Sequence, residues 1–106
     1  MKLKLDNSSM KILKQHLSGV EKWETILYHG NIERFAFKMA KPIVTRLYLR
    51  VQNKYLKYSN KPYFRFTLTE EEKAAYLLFH LTMPMPVSVL SQSFLQYLAG
   101  EIGKSV

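Results

Sequence analysis

Lys61 to Leu98 reads KPYFRFTLTEEEKAAYLLFHLTMPMPVSVLSQSFLQYL: a short strand, a helix and a second helix joined by almost no loop. Phe64, Phe66 and Leu68 alternate with Tyr63, Arg65 and Thr67, the pattern of a half-buried strand. Thr69 caps the first helix, and Glu72 three residues on completes a capping box. Glu70, Glu71 and Glu72 fill the first turn, where the helix dipole favours acids, so their clustering needs no catalytic or metal role. This helix, over residues 70–81, is apolar around most of its circumference, with Ala74, Ala75, Leu77, Leu78, Phe79 and Leu81, which predicts burial on nearly every side. Met83-Pro84-Met85-Pro86 forces an extended link. Residues 87–102 then form an amphipathic helix, with Val87, Leu90, Phe94, Leu95, Tyr97, Leu98 and Ile102 opposite Ser88, Gln92, Ser93 and Gln96. One strand alone leaves its backbone N–H and C=O groups unpaired. The stretch supplies no second strand, so pairing with a second copy of the chain is the expectation.

Upstream, Asn7-Ser8-Ser9 can cap a helix whose apolar positions Met10, Leu13 and Leu17 recur at helical spacing and which Gly19 ends. A second short helix carries Val20, Trp23 and Ile26/Leu27 on one side and stops at Gly30. Asn31 caps a third, running to about Lys41, where Pro42 either kinks it or opens a fourth. Residues 43–58 admit two readings. As a helix, Val44, Leu47/Tyr48, Val51, Tyr55 and Tyr58 make an apolar stripe beside a basic one of Arg46, Arg50, Lys54 and Lys57. As a strand, Thr45, Leu47, Leu49 and Val51 alternate with Arg46, Tyr48, Arg50 and Gln52. Two stripes at helical spacing outweigh one alternation. The fold expected is mainly α: a basic helical region over 1–60 and a strand-helix-helix region over 61–106, dimeric through the strand. The alternative is α+β with a hairpin within 44–68.

The chain has 106 residues, 47% of them apolar, which suits one small globular domain, and no cysteine, which excludes disulfides and thiolate metal sites. Met1–Leu5 has the charges of a signal n-region, but Asp6-Asn7-Ser8-Ser9 follows where an apolar run is needed, so no signal peptide is expected. Ala74 to Phe79, the longest apolar run, is too short to span a bilayer, and a cytoplasmic location is expected. The formal charge is +8, concentrated in residues 34–65, which hold nine basic residues and no acid. Such a block steers and holds polyanions.

The alternating Tyr63–Leu68, the turn Thr69-Glu70-Glu71-Glu72 and the helical run Ser88–Leu98 together resemble the ribbon-helix-helix family of DNA-binding proteins. That resemblance implies a homodimer whose two strands pair antiparallel and enter the major groove. It implies that Phe64, Phe66 and Leu68 face a shared core while Tyr63, Arg65 and Thr67 face base edges. Arg65 becomes the strongest reader, because its guanidinium fork matches the two acceptors of guanine. Ser88, at the start of the last helix, is placed against a phosphate. The family more often has glycine and Ser or Thr leading into the second helix, where this chain has two prolines and Val87.

Independently of the resemblance, Tyr48, Tyr55, Tyr58 and Tyr63 interleave with Arg46, Arg50, Lys54, Lys57 and Lys61, a pattern suited to phosphates and unpaired bases. His16, His29 and His80 have no metal-ligand spacing, and no serine sits in a nucleophile elbow. The expectation is therefore a non-enzymatic protein without cofactor, metal or small-molecule substrate, binding duplex DNA or RNA and not a membrane. Arg46, Arg50, Lys54, Lys57 and Lys61 would hold phosphates, and Arg65, Thr67 and Tyr63 would read sequence. The alternative function is a helical interaction module that meets a protein partner through the 74–81 helix and the Ser/Gln face.

Overall fold

A computed structural model describes residues 1–23, 31–58 and 60–105. In chain order it has strand β1 (Lys2–Asp6), helix α1 (Asn7–Leu17) and a 3-10 helix (Ser18–Lys22). Helix α2 (Asn31–Lys57), strand β2 (Tyr63–Thr67), helix α3 (Glu70–Thr82) and helix α4 (Val89–Lys104) follow. The fold is mainly α with one two-stranded antiparallel sheet.

β2 finds its partner within its own chain: Leu3 lies opposite Phe66 and Leu5 opposite Phe64. The Met1 nitrogen and the Leu68 carbonyl, 3.0 Å apart, extend the ladder by one pair. Met1–Asp6 alternates Leu3 and Leu5 with Lys2, Lys4 and Asp6, which is a strand pattern, but one too short to stand out beside the helix it leads into. The reason for expecting a strand from a second copy therefore falls away.

Residues 43–58 are helical up to Lys57, so the hairpin alternative within 44–68 is set aside. Pro42 neither ends nor restarts α2, which runs through it. Pro42 and Lys38 are both exposed, so the carbonyl that loses its donor can turn to water. Phe37, Ala40, Val44, Leu47 and Val51 on the opposite side are buried and hold the helix across the break. At 27 residues α2 is about 40 Å long, nearly the 43 Å of the molecule's longest dimension. α1 is capped by Asp6, whose Oδ1 accepts from the Ser9 nitrogen at 2.7 Å, in place of the expected Asn7-Ser8-Ser9. The second short helix is described only to Trp23; its expected continuation to Gly30, with His29, lies outside the described residues.

One core joins both regions of the chain, with Leu5, Met10, Leu13, Leu17, Trp23 and Val44 packed among Phe64, Tyr76, Phe79 and Leu98. Trp23 stacks edge-on against Phe37 and Phe79, and its Nε1 donates to Thr82 Oγ1 at 2.8 Å. The capping box of Thr69 and Glu72 forms as its spacing predicts. α3 and α4 make an antiparallel hairpin, closed at its base by the buried Lys73. The Lys73 Nζ donates to the Ser105 carbonyl at 2.9 Å and pairs with Glu70 at 2.7 Å. Neither helix is covered as expected. Ala75, Tyr76 and Phe79 of α3 are buried but Ala74 and Leu81 are exposed, and on α4 only Leu95, Leu98 and Ile102 are fully buried. No described helix is long and apolar enough to cross a membrane.

Candidate nucleic-acid interface

The β1–β2 ribbon is amphipathic. Leu5, Phe64 and Phe66 point into the core, whereas Lys2, Lys4 and Asp6 face outward beside Thr67, Arg65 and Tyr63, their cross-strand partners. Met1 and Leu68 exchange both backbone hydrogen bonds, so hydrogen-bonded pairs fall at Leu3–Phe66 and Leu5–Phe64. Lys4–Arg65 is then a non-hydrogen-bonded pair, the kind in which facing side chains stand closest, with Cα atoms about 4.5 Å apart. Two cations thus share one site on an exposed face, an arrangement that costs stability in water. Asp6 is the acid of this face, but it is engaged in capping α1. Its hydrogen bond from the Ser9 backbone holds its carboxyl below the usual carboxylate range.

The cations of α2 divide into two kinds. Arg50 donates to the Thr67 carbonyl at 2.9 Å and pairs with Glu72 at 3.1 Å. Lys54 donates to the Arg65 carbonyl. These are the carbonyls that the ladder geometry turns away from β1, so Arg50 and Lys54 close the open edge of β2. Lys57 and Arg46 remain exposed. Arg46 lies with Lys38 and Lys41 around a shallow depression beside Pro42, about 12 Å along the helix from Lys54.

Arg65 lines two adjoining depressions. One, of about 360 Å³, is shared with Lys2, Lys4 and Thr67. The other, of about 410 Å³, is shared with Lys54, Lys61, Tyr58 and Tyr63. Together they bring Lys2, Lys4, Lys54, Lys61 and Arg65 onto one surface, although Lys2 and Lys4 stand some sixty residues from Arg65 in sequence. Sequence reasoning missed both lysines, and the alternation of Lys2 to Asp6 was the signal for them. The tyrosines hold lysines: Lys4 Nζ lies 4.5 Å from the Tyr63 ring centre, Lys61 4.3 Å from that of Tyr58 and Lys14 5.0 Å from that of Tyr55. With cations over their rings, these side chains favour phosphate contact over base stacking.

Ser88 does not join this surface. It caps α4, accepting from the Ser91 nitrogen, at the end of the α3–α4 hairpin away from its Lys73–Ser105 base. Sixteen residues of α4, about 24 Å, separate it from that base. The outward ribbon residues Tyr63, Arg65 and Thr67 are brought together, with Lys54 and Lys61 beside them. No family model, curated protein or solved structure matches this chain.

Proposed function

We propose that this protein binds duplex DNA through the outer face of the β1–β2 ribbon. The observation that carries the reading is the juxtaposition of Lys4 and Arg65 on an exposed ribbon, joined by Lys2 and Lys61. Like charges set opposite one another cost stability in the free protein, and an anion laid across them reverses that cost. A two-stranded ribbon has the width of the B-form major groove. The major groove of an RNA helix is too deep and narrow to admit one, which favours DNA. In this reading Arg65 presents its fork to a guanine, and Thr67 donates to a base or touches a thymine methyl. Lys2, Lys4, Lys61 and Lys57 hold phosphates. Unlike the two-chain ribbon implied by the sequence resemblance, both strands here belong to one molecule.

Fluorescence anisotropy with labelled random-sequence duplex tests it. If about four phosphates are neutralised, a fourfold rise in salt weakens binding on the order of a hundredfold. Arg65→Ala should in addition relax preference at one base pair by about 1–3 kcal/mol. Absence of binding at low salt, or binding indifferent to salt, would reject the proposal.

A further inference from the structure

The end of the molecule away from the hairpin base has the opposite character. Leu81 is 79% exposed, Val87 96%, Val89 75% and Leu90 80%: Val87 lies in the link between α3 and α4, Leu81 in the last turn of α3 and Val89 and Leu90 in the first turn of α4. From Leu81 to Gly100 the chain has no charged residue. Beside this link lies a depression of about 210 Å³, lined by Ile12, Gly19, Met83, Pro84 and Pro86 together with the polar side chains of Gln15, His16, Ser18 and Ser91. A Cβ on Gly19 would stand 2.5 Å from the Met83 methyl, so the Met83 side chain lies directly on Gly19 of the 3-10 helix.

We infer that this end is a homodimer interface in which Val87 of one copy enters the Gly19–Pro86 depression of the other, and reciprocally. Three observations favour a second copy as the occupant. First, the surface holds both a knob and a hole, which is the requirement of a two-fold interface, where each patch must complement itself. Second, the four exposed residues offer on the order of 500 Å² per copy, so that two copies reach the ~1,000 Å² that a specific interface has to clear. Third, two molecules of charge +8 repel wherever their basic surfaces approach. An uncharged face is where identical copies can meet unopposed, and it leaves both ribbons outside the contact. The inference does not depend on what the ribbon binds.

Sedimentation equilibrium of the full chain without nucleic acid tests it. The expected mass is twice the 12.5 kDa of one chain, held or strengthened as salt rises, as apolar contacts are. Val87→Asp and Leu90→Asp alter side chains that lie in solvent in one copy, so each should keep the wild-type circular-dichroism spectrum while weakening the dimer about a hundredfold or more by burying an unpaired charge. Lys4→Ala should leave the dimer intact. A wild-type monomer overturns the inference. So does a dimer that survives both aspartates, or one that Lys4→Ala dissolves.

Discussion

Arg50 and Lys54 on one side of β2, and Lys4 and Arg65 on its outer face, are the same residue types within one small neighbourhood, yet they do opposite things. The first pair is engaged by the fold: its donors meet the Thr67 and Arg65 carbonyls, and Glu72 answers the Arg50 charge. The second pair meets like charge across the ribbon. A cation with a carbonyl and a carboxylate in front of it stabilises the free protein, whereas a cation facing another cation waits for an anion from outside. Helical spacing groups Arg46, Arg50, Lys54 and Lys57 as one stripe, but it cannot say which of them meet backbone.

The largest test puts new positive charge where the fold has no place for it. His16 on α1 is buried against Phe79, Tyr76 and His80 of α3, with ring centres 4.9, 6.4 and 6.1 Å away. His16 Nε2, Tyr76 Oη and His80 Nδ1 have no hydrogen-bond partner among the described residues. Burial, helped by the neighbouring His80, pushes the His16 pKa down to about 4, and burial also raises the Tyr76 phenol and lowers His80. The unfolded chain, with imidazole near 6.5, takes up its proton first. Stability is therefore complete above about pH 6.5 and lost as the pH falls towards 4, by on the order of 3 kcal/mol for His16. Urea melts at either end of that window should show the loss, and His16→Leu should remove most of it. An equal loss in His16→Leu would move the cause elsewhere.

Next in size is the free pair itself. Lys4→Ala with Arg65→Ala should weaken duplex binding on the order of a hundredfold at moderate salt and flatten the salt slope by about one phosphate, the one that Lys4 holds. The melting temperature should hold, because relief of the like-charge contact offsets the loss of the Lys4 ammonium from the Tyr63 ring. Arg50→Ala should behave conversely. It strips the Thr67 carbonyl and Glu72 of their partner on a half-exposed site, which costs about 1–2 kcal/mol of stability. Affinity, measured well below the melting point, should change by less than for the free pair. If Arg50→Ala cuts binding as deeply as the double variant, the division between the two kinds of cation fails.

Local signals made much of this fold legible. The alternation of Phe64, Phe66 and Leu68 placed those residues inward, the Thr69–Glu72 box started α3, and the apolar stripe of α2 faces the core. These features were readable because each depends on neighbours a few residues away. β1 was not, because five residues of alternation carry little information and its partner is set by tertiary packing sixty residues on. The same gap hid Lys2 and Lys4 from the site. The exposed α3–α4 turn escaped for a related reason. An apolar composition says that burial is favourable, and it does not say whether the covering surface belongs to the same molecule.

The smallest expected effect separates the ribbon's two duties most sharply. Arg65→Thr should stabilise the protein while it weakens binding. Removing one member of the Lys4–Arg65 pair relieves a like-charge contact at the closely spaced kind of cross-strand pair. Threonine is also a better strand residue on a half-exposed face. Lys4 keeps its place over the Tyr63 ring, so no other contact is lost with the charge. The gain should be about 0.5 kcal/mol, or roughly 2–4 °C in melting temperature for a chain of this size. It should shrink as salt rises, since screening removes the repulsion that the substitution relieves. A protein that melts lower after Arg65→Thr, at low salt, would mean that the guanidinium supports the free fold. Arg65 would then join Arg50 and Lys54 among the cations the fold employs, and the case for an anion above the ribbon would rest on Lys2, Lys4 and Lys61 alone.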